Sequence, residues 1–472
     1  MLVRLRPYLL LFVALVVIYH ANLRPVDSSD TLPGSLIPLA VVLDHSVTLD
    51  RFVPWLRAHV PYTRAVIMPA HGHFYSEYPI GGPVFVSPLY VPLALLGHSS
   101  DWDPGSLVMF ARVAEKFAAV LVTALPVPML LLLLKRITTP AWAWCLTLVY
   151  ALGTETWSIS SQALWQHGPG ELAMIGALFS LACWSDNRAS HTALWMCGAC
   201  AAFAFVFRPT NIVLLPALVF ALLLAKATLA QHARFWTLPL IGGVIVASYN
   251  LYVFHNISGG YAIRGLRSPF WTGLAGILFS PGRGLLIYTP VALFALCALW
   301  PGARAARHKY APLFTASFMF VILDLILIAK WRIWWGGYCW GPRLLTELAP
   351  PLIVLMAIGT AVLDRPWPRR AFAVISVYCV FIQAIGVFFY PKGRWDAGPP
   401  NINAAHDRVW DWRDNPIVRT LHGGPAWESY AVVGTAITRG IPAAQRRMRE
   451  LNANPYDERP PEGVSPDGRG LP

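Results

Sequence analysis

The sequence predicts an all-α polytopic membrane protein, and three observations lead to this fold class. The 472 residues are 56% hydrophobic and only 13% charged, with a mean hydropathy of +0.51. Soluble globular proteins carry about 25% charged residues, so this chain has too little polar surface to cover a water-facing domain. The apolar residues also fall into repeated runs close to the ~20 residues that cross a bilayer as a helix. Soluble enzymes, disordered chains and collagen-like fibres are thereby excluded.

The charge pattern indicates a membrane rather than a nucleic acid as the partner. The net charge is +13, from 37 Lys and Arg against 24 Asp and Glu. These residues lie between the apolar runs, where they set topology and meet anionic lipid head groups. No zinc-finger spacing, basic helix or Lys-rich run occurs, so nucleic acid is not an expected partner. Six of the seven cysteines fall inside apolar runs, which is not the pattern of a disulfide framework.

The first elements along the chain are a membrane helix and a long outer segment. The apolar run over 8–20 follows two arginines and predicts a retained first helix with a cytoplasmic N-terminus. The segment 22–106 then lies outside the membrane. We expect it to carry surface helices within 31–60 and 79–96, the second one interrupted by prolines and lying at the interface.

Ten further spans follow, which together with the first helix make about eleven. Lys and Arg concentrate in alternate connections, which are assigned to the cytoplasm and place the C-terminus outside. The transmembrane domain is therefore predicted over 1–390 and an extracytoplasmic tail over 391–472. The last ~20 residues, rich in Pro, Gly and charge, are expected to be disordered. The ten predicted spans are 107–134, 140–158, 169–184, 191–207, 210–225, 235–254, 285–300, 311–329, 346–363 and 371–390.

Two carboxylates follow the first span at the outer membrane surface. In one interpretation, either Asp27 or Asp30 is a general base for a reaction at that surface. In the alternative, Asp30 is the N-cap of a helix over 31–43 with Pro33 in its first turn. The two interpretations are compatible, because a cap residue can also face a cavity. A divalent metal is compatible with an acidic site, but no ligand spacing demands one, so no cofactor is firmly implied.

Polar residues at the outer end of the span 140–158 form a second candidate group. Glu155, Ser158, Gln162 and Gln166 step by three, four and four residues, which predicts a polar stripe if the segment is helical. Polar groups at membrane depth usually face a cavity or a partner. His167 follows directly, either as a structural hydrogen-bonding group or as a base.

Three arginines are predicted on the outer side, where cations are disfavoured. Arg208 lies in Phe-Arg-Pro-Thr-Asn, Arg283 in Ser-Pro-Gly-Arg-Gly, and Arg343 in Gly-Pro-Arg after a Trp- and Gly-rich loop. A guanidinium fork suits a phosphate, and neighbouring glycines allow close backbone approach. The alternative for each alone is snorkelling to lipid phosphates.

The chain resembles the GT-C-type membrane glycosyltransferases, which include protein O-mannosyltransferases and lipid A aminoarabinose transferases. It is most similar to a bacterial family described as glycosyltransferase-like, over residues 1 to about 415. It departs from the better-known GT-C members in two places. Glu77-Tyr-Pro79 stands in place of Lys-Pro-Pro, and Arg208-Pro stands in place of Lys-Gly. The motifs that carry the resemblance are Asp30-Thr-Leu-Pro, Leu49-Asp-Arg-Phe52, Tyr78-Pro-Ile-Gly, Gly153-Thr-Glu-Thr-Trp-Ser, Trp165-Gln-His-Gly-Pro, Phe207-Arg-Pro-Thr-Asn, Phe279-Ser-Pro-Gly-Arg-Gly and Trp334-Trp-Gly-Gly with Gly341-Pro-Arg.

The resemblance implies transfer of a sugar from a polyprenyl-phosphate donor to a glycan, lipid or protein acceptor. The site would lie at the outer face of a bacterial cytoplasmic membrane, among membrane lipids. The resemblance makes Asp30 the base in an inverting reaction, with Asp27 as the second choice. The candidate residues for binding the substrate and the donor phosphate are Arg343, Arg208, Arg283, His167, Glu155, Gln166, Tyr78 and Trp335.

Two alternatives to a transferase remain open from the sequence. A transporter or flippase of lipid-linked sugars would share the spans and the outer arginines, but would favour charges along a path through the membrane. A non-catalytic assembly protein for envelope glycans would need neither carboxylates at the outer surface nor charges along a path through the membrane. A structure that gathers Asp30 and the arginines at one outward-facing site would favour the transferase.

Overall fold

The computed structural model describes residues 2–25, 28–60, 63–97, 102–260, 265–390, 395–398, 400–440, 443–444 and 446–447. Within these residues the chain is a bundle of α-helices with one small β-hairpin. Asp27 and the last 25 residues, including the predicted disordered end of the tail, lie outside the described residues.

The helices of the N-terminal half follow the predicted order. Helices α6 and α7 are divided at Leu125, just before Pro126, which has no backbone N–H to donate. The helices are α1 (Leu2–His20), α2 (Leu32–Asp44), α3 (Val53–His59), α4 (Thr63–Val66), α5 (Gly81–Gly97), α6 (Pro104–Ala124), α7 (Pro126–Ile137), α8 (Pro140–Gly153), α9 (His167–Asp186), α10 (His191–Phe207), α11 (Leu214–Leu224) and α12 (Leu229–Phe254).

The C-terminal half is more irregular. The predicted span 285–300 consists of the four residues of α14 and the 3₁₀-helix Pro290–Leu299, because the chain breaks at Thr289-Pro290. The helices are α13 (Phe270–Phe279), α14 (Leu285–Tyr288), α15 (Arg304–Lys309), α16 (Ala311–Lys330), α17 (Ala349–Ile358), α18 (Thr360–Leu363), α19 (Pro366–Phe388), α20 (Pro416–Gly423) and α21 (Glu428–Arg439). Further short helices are the π-helix Thr156–Ser160 and the 3₁₀-helices Pro209–Val213, Pro301–Ala303, Arg343–Leu348 and His406–Trp410.

Four stretches of the described chain are long and apolar enough to cross a membrane: Pro104–Ile137, Leu229–Phe254, Ala311–Lys330 and Pro366–Phe388. They coincide with four of the predicted spans. The predicted span 169–184 lies within the continuous 20-residue helix α9, and the remaining predicted spans are helical but shorter or interrupted. The number of about eleven crossings therefore stays a prediction. Helices α2, α3 and α5 occupy the ranges 31–60 and 79–96 in which surface helices were expected, and their position at the membrane surface stays a prediction.

The prediction of an all-α chain is wrong at one point. Strands β1 (Ile67–Ala70) and β2 (His73–Ser76) pair antiparallel, with Ile67 opposite Ser76. They are joined at His71 and Gly72, both with positive φ. Two consecutive residues with positive φ give a tight turn whose twist matches that of two antiparallel strands. The residues on either side of this turn therefore pair as strands instead of forming a helix.

The apolar core is divided into two main clusters. The larger one joins α1 and α6–α11 to α16, α17 and α19. The second lies between α2, α3, α5 and the first half of α6, so the segment that was predicted to lie outside the membrane has an apolar core of its own. Helix α6 belongs to both clusters and therefore connects the outer segment to the bundle.

Candidate functional site

Asp30 lies in the turn Ser28–Thr31 between α1 and α2, with 30% of its side chain exposed. The interpretation of Asp30 as an N-cap is wrong, because α2 begins at Leu32, its N-cap residue is Thr31, and no side-chain cap bond is made. Instead, Oδ1 accepts hydrogen bonds from the Tyr78 hydroxyl at 2.7 Å and the Ser29 hydroxyl at 3.4 Å. Oδ2 forms an ion pair with Arg343 Nη1 at 2.7 Å.

Arg343 reaches Asp30 from a distant part of the chain. It begins the 3₁₀-helix Arg343–Leu348, and its second terminal nitrogen donates to the Gly336 carbonyl at 2.7 Å. The guanidinium carbon lies 4.4 Å from the centre of the buried Trp165 ring. The preceding loop turns sharply, since Gly336, Gly337 and Gly341 all have positive φ. The site thus brings together a partly exposed carboxylate, a phenol and a stacked guanidinium.

Two carboxyl groups beside this site have shifted pKa values. Burial raises the pKa of Asp30, but the charge of Arg343 and the hydrogen bonds from Tyr78, Arg343 and Ser29 outweigh it, and the pKa is lowered. Burial and the charge of Asp30 raise the pKa of Glu77 to about 7. Asp30 is therefore ionised at neutral pH, whereas Glu77 is close to half-protonated.

Arg208 and His167 lie in a separate, buried network. Arg208 Nη1 pairs with Glu347 Oε2, and His167 Nδ1 lies 2.9 Å from the same oxygen. Arg208 Nη2 also donates to the Leu344 carbonyl at 3.1 Å. Both partners belong to the 3₁₀-helix that begins with Arg343, so this network holds that helix in place.

Arg283, in the loop between α13 and α14, joins the loop after α16 to residues that follow α19. Its buried guanidinium pairs with Asp396 and donates to the carbonyls of Trp335 at 2.7 Å and Gly337 at 2.8 Å. The Trp335 indole N–H donates to Asn403 at 3.0 Å, and its ring stacks on His406. The start of the predicted tail is therefore packed against the loop whose Gly336 carbonyl Arg343 contacts.

The polar stripe predicted through Glu155, Ser158, Gln162 and Gln166 is not one helical face. Helix α8 ends at Gly153, a π-helix follows, and Gln166 lies at the N-cap of α9. Glu155 is buried and accepts from Thr289 at 2.7 Å, and Ser158 donates to Gln383 of α19. Gln162 accepts from Asn22 and Lys116 at 2.7 and 2.8 Å. The short π-helix Thr156–Ser160 changes the direction in which successive side chains point, so the four polar residues do not share one face.

The structure thus brings Asp30, Tyr78 and Arg343 together. It places Arg208, Arg283, His167, Glu155 and Trp335 with different partners. Sequence reasoning missed Glu77, Trp165, Glu347 and Asp396. Glu77 and Trp165 stand within or beside the motifs that carry the resemblance, which was the available signal. Over the described part of the chain, no group of three or more His, Cys, Asp or Glu residues is placed to hold a metal ion.

Among solved structures, the chain is similar to ArnT from Cupriavidus metallidurans, a structure bound to undecaprenyl phosphate. The TM-score is 0.51 at 13% sequence identity, over 95% of this chain and 78% of ArnT. The chain has the GT-C type of fold. This confirms the fold that the resemblance in sequence implied. No protein-family model matches the chain, and a search of curated proteins found no match.

Proposed function

We propose that the chain transfers a sugar from a polyprenyl-phosphate donor to an acceptor at the outer face of a bacterial cytoplasmic membrane. The observation that carries this proposal is the contact of Asp30 with Arg343 and Tyr78, 2.7 Å each, in a GT-C-type fold. A transporter or a non-catalytic assembly protein has no need for an ionised, partly exposed carboxylate at this surface.

In the proposed reaction, Asp30 takes the proton of the acceptor hydroxyl. The acceptor oxygen forms a bond to the anomeric carbon while the bond from that carbon to the phosphate oxygen breaks, so the configuration inverts. The electron pair leaves with the polyprenyl phosphate, which is a good leaving group. Arg343 faces this developing negative charge, and a planar guanidinium can meet two phosphate oxygens at once.

Tyr78 is proposed to orient Asp30. A carboxylate oxygen can accept more than one hydrogen bond, so the bond from Tyr78 to Oδ1 leaves Asp30 able to accept a proton. The phenol fixes the direction of the carboxylate without adding charge.

The assignment of Arg208 and Arg283 as phosphate ligands stays a prediction. Each would have to leave a buried carboxylate, Glu347 or Asp396, before it could meet a donor. Arg343 also pairs with a carboxylate, but that partner, Asp30, is partly exposed, so Arg343 is the first choice among the three arginines. Asp27 likewise stays the second choice for the base.

The test is sugar transfer from polyprenyl-phosphate donors in vitro by purified wild type and by Asp30→Asn. Asn keeps an oxygen for the Tyr78 bond but accepts no proton, and loss of a general base lowers rates by about 10²–10⁴-fold. We expect normal thermal unfolding with activity collapsed, and NMR of the product should show inversion.

The matched control is Asp44→Asn, which removes an exposed partner of Arg51 in the same outer segment and should stay active. If Asp30→Asn keeps its activity and Asp27→Asn loses it, the base lies three residues upstream. If both variants transfer sugar at the wild-type rate, the proposed role of this carboxylate pair is wrong.

A further inference from the structure

One turn of α6 contacts both halves of the candidate site. Arg112 Nη1 donates to the Thr31 hydroxyl and Nη2 donates to the Ser28 carbonyl, each at 3.0 Å. Ser28 and Thr31 bound the turn that carries Asp30. Through these two bonds a single guanidinium fixes the backbone and a side chain of that turn.

The same turn of α6 holds the segment that carries Trp165. Glu115 Oε2 pairs with Arg112 at 3.1 Å, and Oε1 accepts the Leu164 backbone N–H at 3.0 Å. Lys116 donates to the Ser161 carbonyl at 3.1 Å. Leu164 immediately precedes Trp165, the ring on which Arg343 lies.

We propose that Arg112 and Glu115 are positioning residues that set Asp30 and Arg343 against each other. The inference rests on the proposed function for its chemical meaning, but its geometry rests only on contacts within the chain. Arg112 bonds to the turn that carries Asp30, and its ion-pair partner Glu115 bonds to the segment that carries Trp165.

The burial of the pair supports this role over that of an ordinary helix surface pair. The Glu115 side chain is 1% exposed and that of Arg112 is 12% exposed. Exposed i,i+3 pairs contribute little and leave their remaining donors and acceptors to water. Here the second oxygen of Glu115 and the second nitrogen of Arg112 both bind other segments. Helix α6 lies in both apolar clusters, so it is a rigid frame for these contacts.

The first experiment does not depend on catalysis. Backbone hydrogen exchange is measured for wild type, for Arg112→Lys and for a control, Arg51→Lys. The control alters the ion pair of Arg51 with Asp44, in the segment 22–106 that also contains Asp30. The Arg112 guanidinium bonds to three oxygens, those of the Thr31 hydroxyl, the Ser28 carbonyl and the Glu115 carboxylate, and a lysine ammonium cannot reproduce this planar arrangement. We expect exchange at the amides of 28–32 and 161–166 to rise about tenfold in Arg112→Lys only, as local opening becomes easier. A rise confined to the α6 amides, or none, would overturn the proposal.

A second pair of variants distinguishes the effect of the Glu115 charge from the effect of its hydrogen bond with the Leu164 N–H. Glu115→Gln keeps an acceptor for that N–H, whereas Glu115→Ala removes it. We expect protection of 161–166 to be largely retained in Glu115→Gln and lost in Glu115→Ala. Equal exchange in the two variants would contradict a positioning role for Glu115.

The kinetic experiment links the pair to the reaction. Misplacement of a reacting group by about 1 Å can cost up to about 10²-fold, so we expect Arg112→Lys to lower kcat about tenfold with little change in KM. The double variant Arg112→Lys with Arg343→Lys should lose no more than Arg343→Lys alone, because both changes act on one pair. If the loss of activity in the double variant equals the product of the two single losses, the proposal is wrong. Absence of transfer by the wild type would instead overturn the proposed function, and hydrogen exchange alone would then decide the positioning role.

Discussion

Arg343 holds Asp30 with one nitrogen and the Gly336 carbonyl with another, while its plane lies on Trp165. Arg343→Lys keeps the charge but loses both the fork and the planar stacking. We expect donor use, measured as kcat/KM for the lipid-linked sugar, to fall about tenfold or more. Arg57→Lys, another arginine of the outer segment, is the control. An unchanged donor affinity in Arg343→Ala would remove this residue from the phosphate site.

Glu77 makes stability depend on pH. Its pKa is about 7 in the folded chain, against an ordinary value of 4.5. The folded state therefore binds more protons than the unfolded state between these values, and the stability contribution of this group falls as pH rises from about 4.5 to about 7. Glu77→Gln does not ionise, so we expect it to be more stable than wild type at about pH 8 and equal at about pH 4.

The measurement is the midpoint of thermal unfolding in detergent across that pH range. Asp44→Asn, which changes an exposed carboxylate away from Asp30, is expected to follow the wild-type profile. A Glu77→Gln profile with the wild-type slope would show that this carboxyl group does not titrate as described.

At the scale of elements, the 3₁₀-helix Arg343–Leu348 depends on the ion pair of Arg208 with Glu347. Removing one partner of a buried pair leaves an uncompensated charge, at a typical cost of about 3–5 kcal/mol. We expect Arg208→Ala to lower the free energy of unfolding by that amount, and addition of Glu347→Gln to recover part of it. Unchanged unfolding with weakened donor binding would instead identify Arg208 as a phosphate ligand.

The helices were largely predictable from the sequence, and their exceptions have local causes. The span 191–207 was predicted with the bounds that α10 has. Helix α13 was missed because its ten residues are too few to cross a bilayer and lie between the predicted spans 235–254 and 285–300. It fits against α16 because Gly273 faces the Ala329 carbonyl, where any side chain would collide. Such a contact has no signature in one sequence.

The site was predictable in its residue types and only partly in its pairings. Asp30, Tyr78 and Arg343 were all candidates, and each stands in a short motif. Arg208 and Arg283 were interpreted as candidate phosphate ligands, and their carboxylate partners, Glu347 and Asp396, were missed because they lie 139 and 113 residues away along the chain. The fold, rather than local spacing, decides which carboxylate neutralises which arginine.

For the whole molecule, the connections predicted to be cytoplasmic gather at one end. Arg136 in the last turn of α7 pairs with Asp186, the last residue of α9, and the hydroxyl of Tyr310, just before α16, donates to the Arg136 carbonyl. The Trp142 indole at the start of α8 donates to Asp364 at 3.2 Å. Asp30, Tyr78 and Arg343 meet at the ends of other elements. This grouping fits connections that alternate between two ends of the bundle. The orientation itself, with a cytoplasmic N-terminus and residues beyond 390 outside, stays a prediction.

A reporter enzyme fused after residue 395 tests this orientation. We expect it to behave as periplasmic or extracellular, and a reporter at the N-terminus to behave as cytoplasmic. Cytoplasmic behaviour of the C-terminal fusion would contradict an odd number of crossings. A fusion in the connection near Asp186 is the internal control and should be cytoplasmic.

The ion pair between Asp30 and Arg343 also bears on the kinetic order of the proposed reaction. While the guanidinium occupies the carboxylate, Asp30 is a poor proton acceptor, and an acceptor molecule that arrives alone stays inert. An incoming phosphate competes for Arg343, and as the guanidinium turns toward it the carboxylate regains its basicity. The site would then follow a compulsory sequence, donor first and acceptor second, in which the anionic substrate itself switches on the base.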